Sequence, residues 1–337
     1  MGQPHPAQGT RLPVVIIMRF LHTSDLHYGL APDPGCAWSA ERAGDPGRIL
    51  KAIVDACRTR HTEALFICGN LFDSMPSLRQ CEEVNTLFAS IPDTKVLVIP
   101  GSRDPVGIAS PVRTFPWAEN VEYSRESSLV YSNGEIRVLL SCGEMPSASE
   151  AAGYTYLAMG GRSKAELGKD RHYAWPGSPL ALSPQDTGVH GCCELWIDEV
   201  LNEVTELELR ELPAPRYVNL TVHVTPDSTA GELVSNLRYE MLRRGKENIY
   251  TLRIRGVRDP LQDLSLPELQ SEFRILRISD ESEPRYDLQA LYAQHSGDMI
   301  GFYIREMNRE DMSPVQKKAL YYGIDALLRT SEERKGT

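Results

Sequence analysis

The sequence predicts an α/β fold of two packed sheets, followed by a smaller α+β module and a helical tail. Three observations predict it. From Met18 to Ile99, short apolar runs alternate with amphipathic segments. Beyond about residue 129 the pattern turns to short strands separated by turn residues. At Pro213-Ala214-Pro215 the composition breaks, and a new succession of strand, helix and strand begins.

Each element has its own signal. A strand near Met18 to Thr23 leads into a loop rich in Pro and Gly. Asp45 is placed to cap a helix with Pro46 at its first position, and Ile49, Leu50, Ile53, Val54 and Cys57 form one apolar face. The strand Ala64 to Cys68 follows, then a helix from Ser77 with Leu78, Cys81, Val84, Leu87, Phe88 and Ile91 directed inward, then the strand Lys95 to Ile99. This β-α-β-α-β order implies parallel strands covered by helices. The apolar runs Ile136 to Leu140, Tyr154 to Met159 and Cys192 to Ile197, with the alternating run Val204 to Leu212, are expected to form a second sheet packed on the first.

After the Pro-rich break, Val218, Leu220, Val222 and Val224 alternate as a strand. Thr229 and Glu232 have capping-box spacing and open a helix through Leu242. Tyr250, Leu252 and Ile254, then Phe273 to Ile278, give two further strands. Ser313, Pro314 and Gln316 open a last helix with an apolar stripe at Leu320, Ile324, Leu327 and Leu328. The expected boundaries are a loose extension over 1–17, a main domain over 18–213, an α+β module over 214–282 and a helical segment over 283–337. The apolar stretch Leu12 to Leu21 contains Arg19 and lacks a small-residue cleavage site, so it reads as the approach to a buried strand rather than a signal peptide.

Composition narrows the function classes. The 337 residues are 41% hydrophobic and 24% charged, as in ordinary globular proteins. The net charge of -10 argues against a chain whose main task is gripping phosphates. A local basic groove at Arg238, Arg243, Arg244 and Lys246 is one reading, and the solvated end of a helix is the other. The seven cysteines include no C-x-x-C pair, which speaks against zinc ribbons and fits a reducing cytoplasm. No apolar run approaches the roughly 20 residues of a membrane span.

The chemistry sits at strand ends, where open α/β sheets bind ligands. The clusters are S-D-L-H-Y-G from Ser24, C-G-N-L-F-D from Cys68, P-G-S-R-D-P from Pro100, A-M-G-G-R-S from Ala158 and W-P-G-S-P from Trp175. Asp25 and His27 alone are a candidate oxygen and nitrogen pair for a divalent ion, or a capped turn with a satisfied histidine. The ordered set resembles the calcineurin-like metallophosphoesterase superfamily, with its D-x-H, G-D-x-x-D, G-N-H-[DE], lone His and G-H-x-H pattern. F-L-H-T-S-D-L-H-Y-G, W-P-G-S-P-L, D-T-G-V-H-G-C-C-E-L-W-I-D and A-L-Y-Y-G-I-D-A-L-L are similar to the SbcD/YhaO-type DNA-repair exonucleases. The resemblance implies a four-layer α/β/β/α sandwich with an α+β capping domain, a two-metal phosphodiesterase site, and a C-terminal segment that docks onto a coiled-coil SbcC-like ATPase.

The chain departs from that pattern at most ligand positions. Asp25 and His27 remain. Asn70 stands for the bridging aspartate, with Gly69 and Asp73 kept. Ser102 replaces the ligand asparagine and Arg103 the assisting histidine, while Asp104 is kept. Ser141, Cys142 and Gly143 stand where the lone histidine is expected, and Gly161 and Ser163 occupy the last two histidine positions, flanking Arg162. Two cations roughly 3.5–4 Å apart need a bridging anion, and a fixed guanidinium beside them repels them. The expectation is a non-catalytic or strongly impaired member with no cofactor. The alternatives are a phosphodiesterase with one Mn or Mg ion on Asp25, His27 and Asn70, and a module that holds an anion at Arg103. Arg103 or Arg162 is expected beside Asp25, replacing the lost metal charge. His172 is a weak substitute ligand. His22 is turned away by strand alternation, and Cys192 and Cys193 read as structural. DNA binding is left open.

Overall fold

The computed structural model describes residues 16–260 and 264–333. Of the extension expected over 1–17, residues 1–15 lie outside the described residues. The chain divides into two compact units, one ending at Arg216 and one beginning at Tyr217.

In the first unit, β1 (Ile17–Thr23) is followed by α1 (Ser39–Arg42), α2 (Asp45–Arg60), β2 (Ala64–Cys68), α3 (Leu78–Ala89), β3 (Lys95–Ile99) and β4 (Val121–Tyr123). Then come β5 (Ser128–Asn133), β6 (Ile136–Cys142), α4 (Ala148–Ala151), β7 (Tyr156–Gly160), β8 (Glu166–Leu167), β9 (Tyr173–Trp175), β10 (Gly191–Asp198) and β11 (Glu203–Glu211). A six-stranded sheet has the order β11-β10-β1-β2-β3-β4, parallel from β1 to β4, and a five-stranded sheet has the order β5-β6-β7-β9-β8. Thus β10 and β11 join the first sheet, antiparallel to β1, rather than the second sheet where the sequence placed them. An apolar run shows that a strand is buried but does not say which edge it extends.

One core lies between the first sheet and the helices α2 and α3, with Ile49, Ile53, Leu65, Val84, Phe88 and Val98 among its members. A second lies between the two sheets and holds Phe20, Phe66, Leu97, Val138, Tyr156 and Leu195. The opposite face of the second sheet packs Leu157, Met159 and Trp175 against Ala151 of the short α4. The layers therefore run helix, sheet, sheet, helix. Cys192 and Cys193 point to opposite faces of β10, one into each core.

Two helix expectations are corrected. Ser77 caps α3 through a capping box with Gln80, which leaves Leu78 in the first turn 61% exposed. Asp45 is the first residue of α2 and not its cap. Its buried carboxylate accepts from Arg42 Nε at 2.9 Å and also pairs with Arg48.

The second unit contains β12 (Tyr217–Val224), α5 (Ala230–Arg244), β13 (Ile249–Arg258), α6 (Pro267–Glu272), β14 (Arg274–Asp280) and β15 (Glu283–Pro284). Its strands are all parallel in the order β12-β13-β14, with β15 also on β13, over a core that includes Leu220, Leu237, Met241, Leu252 and Phe273. Three helices complete it: α7 (Leu288–Gln294), α8 (Met299–Met307) and α9 (Pro314–Glu333). Leu320 and Ile324 of α9 are buried against Ile300 and Ile304 of α8, so its apolar stripe is covered within the unit. Of the basic cluster, Arg238 pairs with Glu272 and Arg243 and Arg244 with Glu240 at the end of α5, and Lys246 follows the helix. Among the described residues no helix is long and apolar enough to cross a membrane.

Candidate functional site

The cleft forms where the parallel strands of the first unit end. Beyond β1 and β2 the two chains stay zipped. Asp25 N–H donates to Gly69 O at 3.0 Å, His27 N–H to Asn70 O at 3.0 Å and Tyr28 N–H to Leu71 O at 2.8 Å. This register holds Asp25, His27 and Asn70 in left-handed backbone, at φ 53, 53 and 52. Such residues cost of order 1–3 kcal/mol each and persist where their surroundings over-determine them. Asp, Asn and His tolerate this region better than most side chains. Gly69 also has positive φ, and a Cβ there would lie 2.4 Å from Cys142 Sγ. A Cβ on Gly101 would lie 2.3 Å from Asn70 Oδ1, so the β3 loop approaches Asn70 only because residue 101 is glycine.

Asn70 organises the centre. Its Oδ1 accepts the Arg103 backbone N–H at 2.9 Å, and its Nδ2 donates to Asp25 Oδ1 at 2.7 Å. A backbone N–H can only donate, so the amide orientation is fixed: the oxygen faces Arg103 and the amino group faces Asp25. The other carboxylate oxygen of Asp25 accepts the Gly161 N–H at 3.1 Å. Asp25 is 5% exposed. The expected arginine is not beside it. Among the described residues Asp25 has no basic partner, and two neutral N–H donors meet its charge instead.

Both candidate arginines are engaged elsewhere. Arg103 donates from Nη2 to Asp73 Oδ1 at 3.0 Å and from Nε to Asp73 O at 3.1 Å. The same Asp73 oxygen lies 3.1 Å from His27 Nδ1. Arg162 pairs with Glu166 at 2.7 Å and stacks over Trp175 at 3.6 Å. Asp104 is buried and accepts backbone N–H from Gly101 at 2.7 Å, Asn70 at 3.2 Å and Phe72 at 3.1 Å. Burial pushes its carboxyl above the usual range, and those backbone donors act in the opposite sense. Ser102 and Ser163 are exposed at the rim.

The neighbouring groups do not extend the donor set. Cys142 ends β6 at the position of the expected lone histidine, with its thiol pushed up to about 11 by burial and by the charges of Asp25 and Asp104. His172 donates from Nε2 to Tyr154 O, 2.8 Å away, so its ring is committed to that carbonyl. His22 is fully buried between the sheets with Nδ1 3.0 Å from Tyr156 Oη, and burial lowers it to about 3. Sequence reasoning missed this His22–Tyr156 contact, because only the tertiary pairing of the two sheets creates it. It also missed the buried Arg42 cluster, since Asp33 lies in a loop and Arg42 ends the four-residue α1, which is too short to show a period.

These residues do not fit a two-metal centre. Asp25 presents both oxygens to N–H donors, the Asn70 carbonyl accepts from the backbone, and Asp73 is shared by His27 and a guanidinium. Among the described residues no group of three or more His, Cys, Asp or Glu side chains is arranged to hold a metal ion. The mismatch lies in the chemistry of the donors: a cation would displace hydrogen bonds that already close on one another.

The scaffold nonetheless belongs to a known class. The family model of the calcineurin-like phosphoesterases matches residues 18–251, which includes both sheets of the first unit and reaches β13 of the second. No curated protein matches the chain. With a match over more than half of its 337 residues, the chain belongs to the calcineurin-like phosphoesterase family.

Proposed function

We propose that the chain is a non-catalytic or strongly impaired relative of the SbcD/YhaO-type nucleases, retained as a partner-binding subunit. The observation that carries this reading is the Asn70 amide donating to Asp25 at 2.7 Å, where the family pattern has a bridging carboxylate. A site that hydrolyses phosphodiesters with two metals needs anionic oxygens turned toward the cations, and here the central residue turns a donor instead. The one-ion alternative draws on Asp25, His27 and Asn70, but the Asn70 oxygen it requires accepts from Arg103 N–H. The anion-holding alternative draws on Arg103, whose guanidinium is already matched by Asp73.

The partner surface belongs to the second unit in this reading. The buried stripe of α9 is taken, which leaves its exposed Val315 and Tyr322, with Met299 and Phe302 of α8, as the apolar groups open to a coiled-coil ATPase. The cysteines, all free, suit a reducing cytoplasm.

Calorimetric titration of metal-stripped protein with Mn²⁺, with Asp25→Ala alongside, tests the catalytic half of the proposal. No heat above the variant's background is expected, together with no cleavage of a phosphodiester substrate. Stoichiometric binding that Asp25→Ala abolishes, accompanied by cleavage, overturns it.

A further inference from the structure

We infer that Asn70 and Arg103 replace the cations structurally, so that the strand ends of the first unit are clasped without metal and a single reversion, Asn70→Asp, would make the fold depend on a divalent ion. The inference deepens the reading of the same cleft proposed above, but it concerns stability rather than catalysis.

Three carboxylates converge at these strand ends, and each is answered by a group of this chain. Asp25, after β1, takes Asn70 Nδ2 and Gly161 N–H. Asp73, in the loop after β2, takes Arg103 and lies beside His27. Asp104, after β3, takes the N–H groups of Gly101, Asn70 and Phe72. Apart from the Gly101–Asp104 bond, which closes the β3 loop on itself, these bonds cross from one strand end to another. Asn70 joins the segment after β2 to those after β1 and β3, Gly161 joins the end of β7 to β1, and Arg103 joins the β3 loop to the β2 loop. The clasp holds Asp25, His27 and Asn70 in the left-handed backbone that would otherwise relax.

The charge balance follows from two residues. An aspartate at position 70 would set a second carboxylate against Asp25 at about the 2.7 Å now spanned by the amide hydrogen bond, with Asp25 only 5% exposed. Two carboxylates so close repel each other strongly unless a cation lies between them. The neutral amide of Asn70 removes that demand, and the guanidinium of Arg103 supplies the positive charge that Asp73 needs.

The test is thermal unfolding of the full chain in EDTA and in millimolar Mn²⁺, for the natural sequence and Asn70→Asp. The natural sequence is expected to unfold at the same midpoint in both conditions. Asn70→Asp is expected to unfold several degrees lower in EDTA and to regain most of the difference in Mn²⁺. A saturable Mn²⁺-dependent rise for the natural sequence overturns the inference, as does an Asn70→Asp midpoint equal to the natural one in EDTA. Should Asn70→Asp fail to fold, Asp73→Asn, Arg103→Met and their double variant provide the second reading. The double variant should be less destabilised than the sum of the single variants, and strict additivity counts against the clasp. Failure of the earlier proposal would look different: phosphodiester cleavage with an unchanged midpoint refutes that proposal alone, and a Mn²⁺-shifted midpoint without cleavage refutes the clasp alone.

Discussion

Two polar clusters in the first unit solve the problem of buried charge in opposite ways. The Arg42 guanidinium, 0% exposed, sits between Asp33 at 2.8 Å and Asp45 at 2.9 Å and donates to Ala181 O at 2.8 Å, while the exposed Arg48 also pairs with Asp45. Trp38 Nε1 adds a donor to Asp33 at 2.8 Å. In the cleft, the single guanidinium of Arg103 is 55% exposed and serves one carboxylate, while Asp25 and Asp104 rely on neutral N–H groups. The first cluster is sealed and pins the loop before α2 to the Trp175–Ala181 segment. The second reaches solvent through Arg103 and Asp73. In the sealed cluster a buried guanidinium meets the carboxylates, whereas at the strand ends the Asn70 amide and backbone N–H groups meet most of that charge.

The largest expected effect breaks the sealed cluster. Arg42→Met leaves two buried carboxylates with one fewer cation, and removing one member of such a cluster costs about 3–5 kcal/mol. Urea unfolding should show that loss, with a large part recovered when Asp33→Asn is added. A cost below about 1 kcal/mol would mean that Arg48 and Trp38 already suffice for these carboxylates and that the cluster is not sealed in the sense argued.

A buried histidine sharpens the comparison, because it avoids the charge rather than pairing it. Burial lowers His22 from 6.5 to about 3, so the folded chain holds it neutral while the unfolded chain protonates it near 6.5. The unfolded state therefore binds more protons between those values. Stability is complete above the unfolded value and falls as pH drops toward about 3, by about 1.4 kcal/mol per unit. His22→Asn should shift the stability level at pH 7.5 but flatten the acid slope between pH 6.5 and 5. Parallel slopes for the two proteins would show that His22 is not the group that titrates.

Much of this was legible in the sequence, and what was not has physical causes. Period and capping residues placed β1 to β3, α3 and α5, because those signals are local. The residence of β10 and β11 in the first sheet was not legible, since the sequence of a buried strand records its faces and not its neighbour. Leu78 looked like a core residue by helical spacing, yet the Ser77 cap sets it in the first turn, which faces solvent. In the cleft, the altered positions could be named from the motif order. The direction of the Asn70 amide could not, because a backbone N–H 33 residues further along the chain decides it. The same limit misplaced Arg103, which the altered motif assigned to Asp25 and which the loop after β2 draws to Asp73.

The smallest expected effect probes the open cluster from its exposed side. Arg103 reaches Asp73 with a charged bond at 3.0 Å, but more than half of its side chain meets water. Exposed pairs of this kind contribute about 0.2–1 kcal/mol and are screened by salt. Arg103→Gln keeps the backbone N–H that orients Asn70 and can still donate one bond to Asp73, so it should lower stability by less than about 1 kcal/mol at low salt. At high salt the difference should shrink toward zero. A loss several times larger, insensitive to salt, would place the Arg103–Asp73 pair with the sealed clusters. The contrast between the two regions would then rest on how each is covered, and no longer on whether solvent or an ion can reach it.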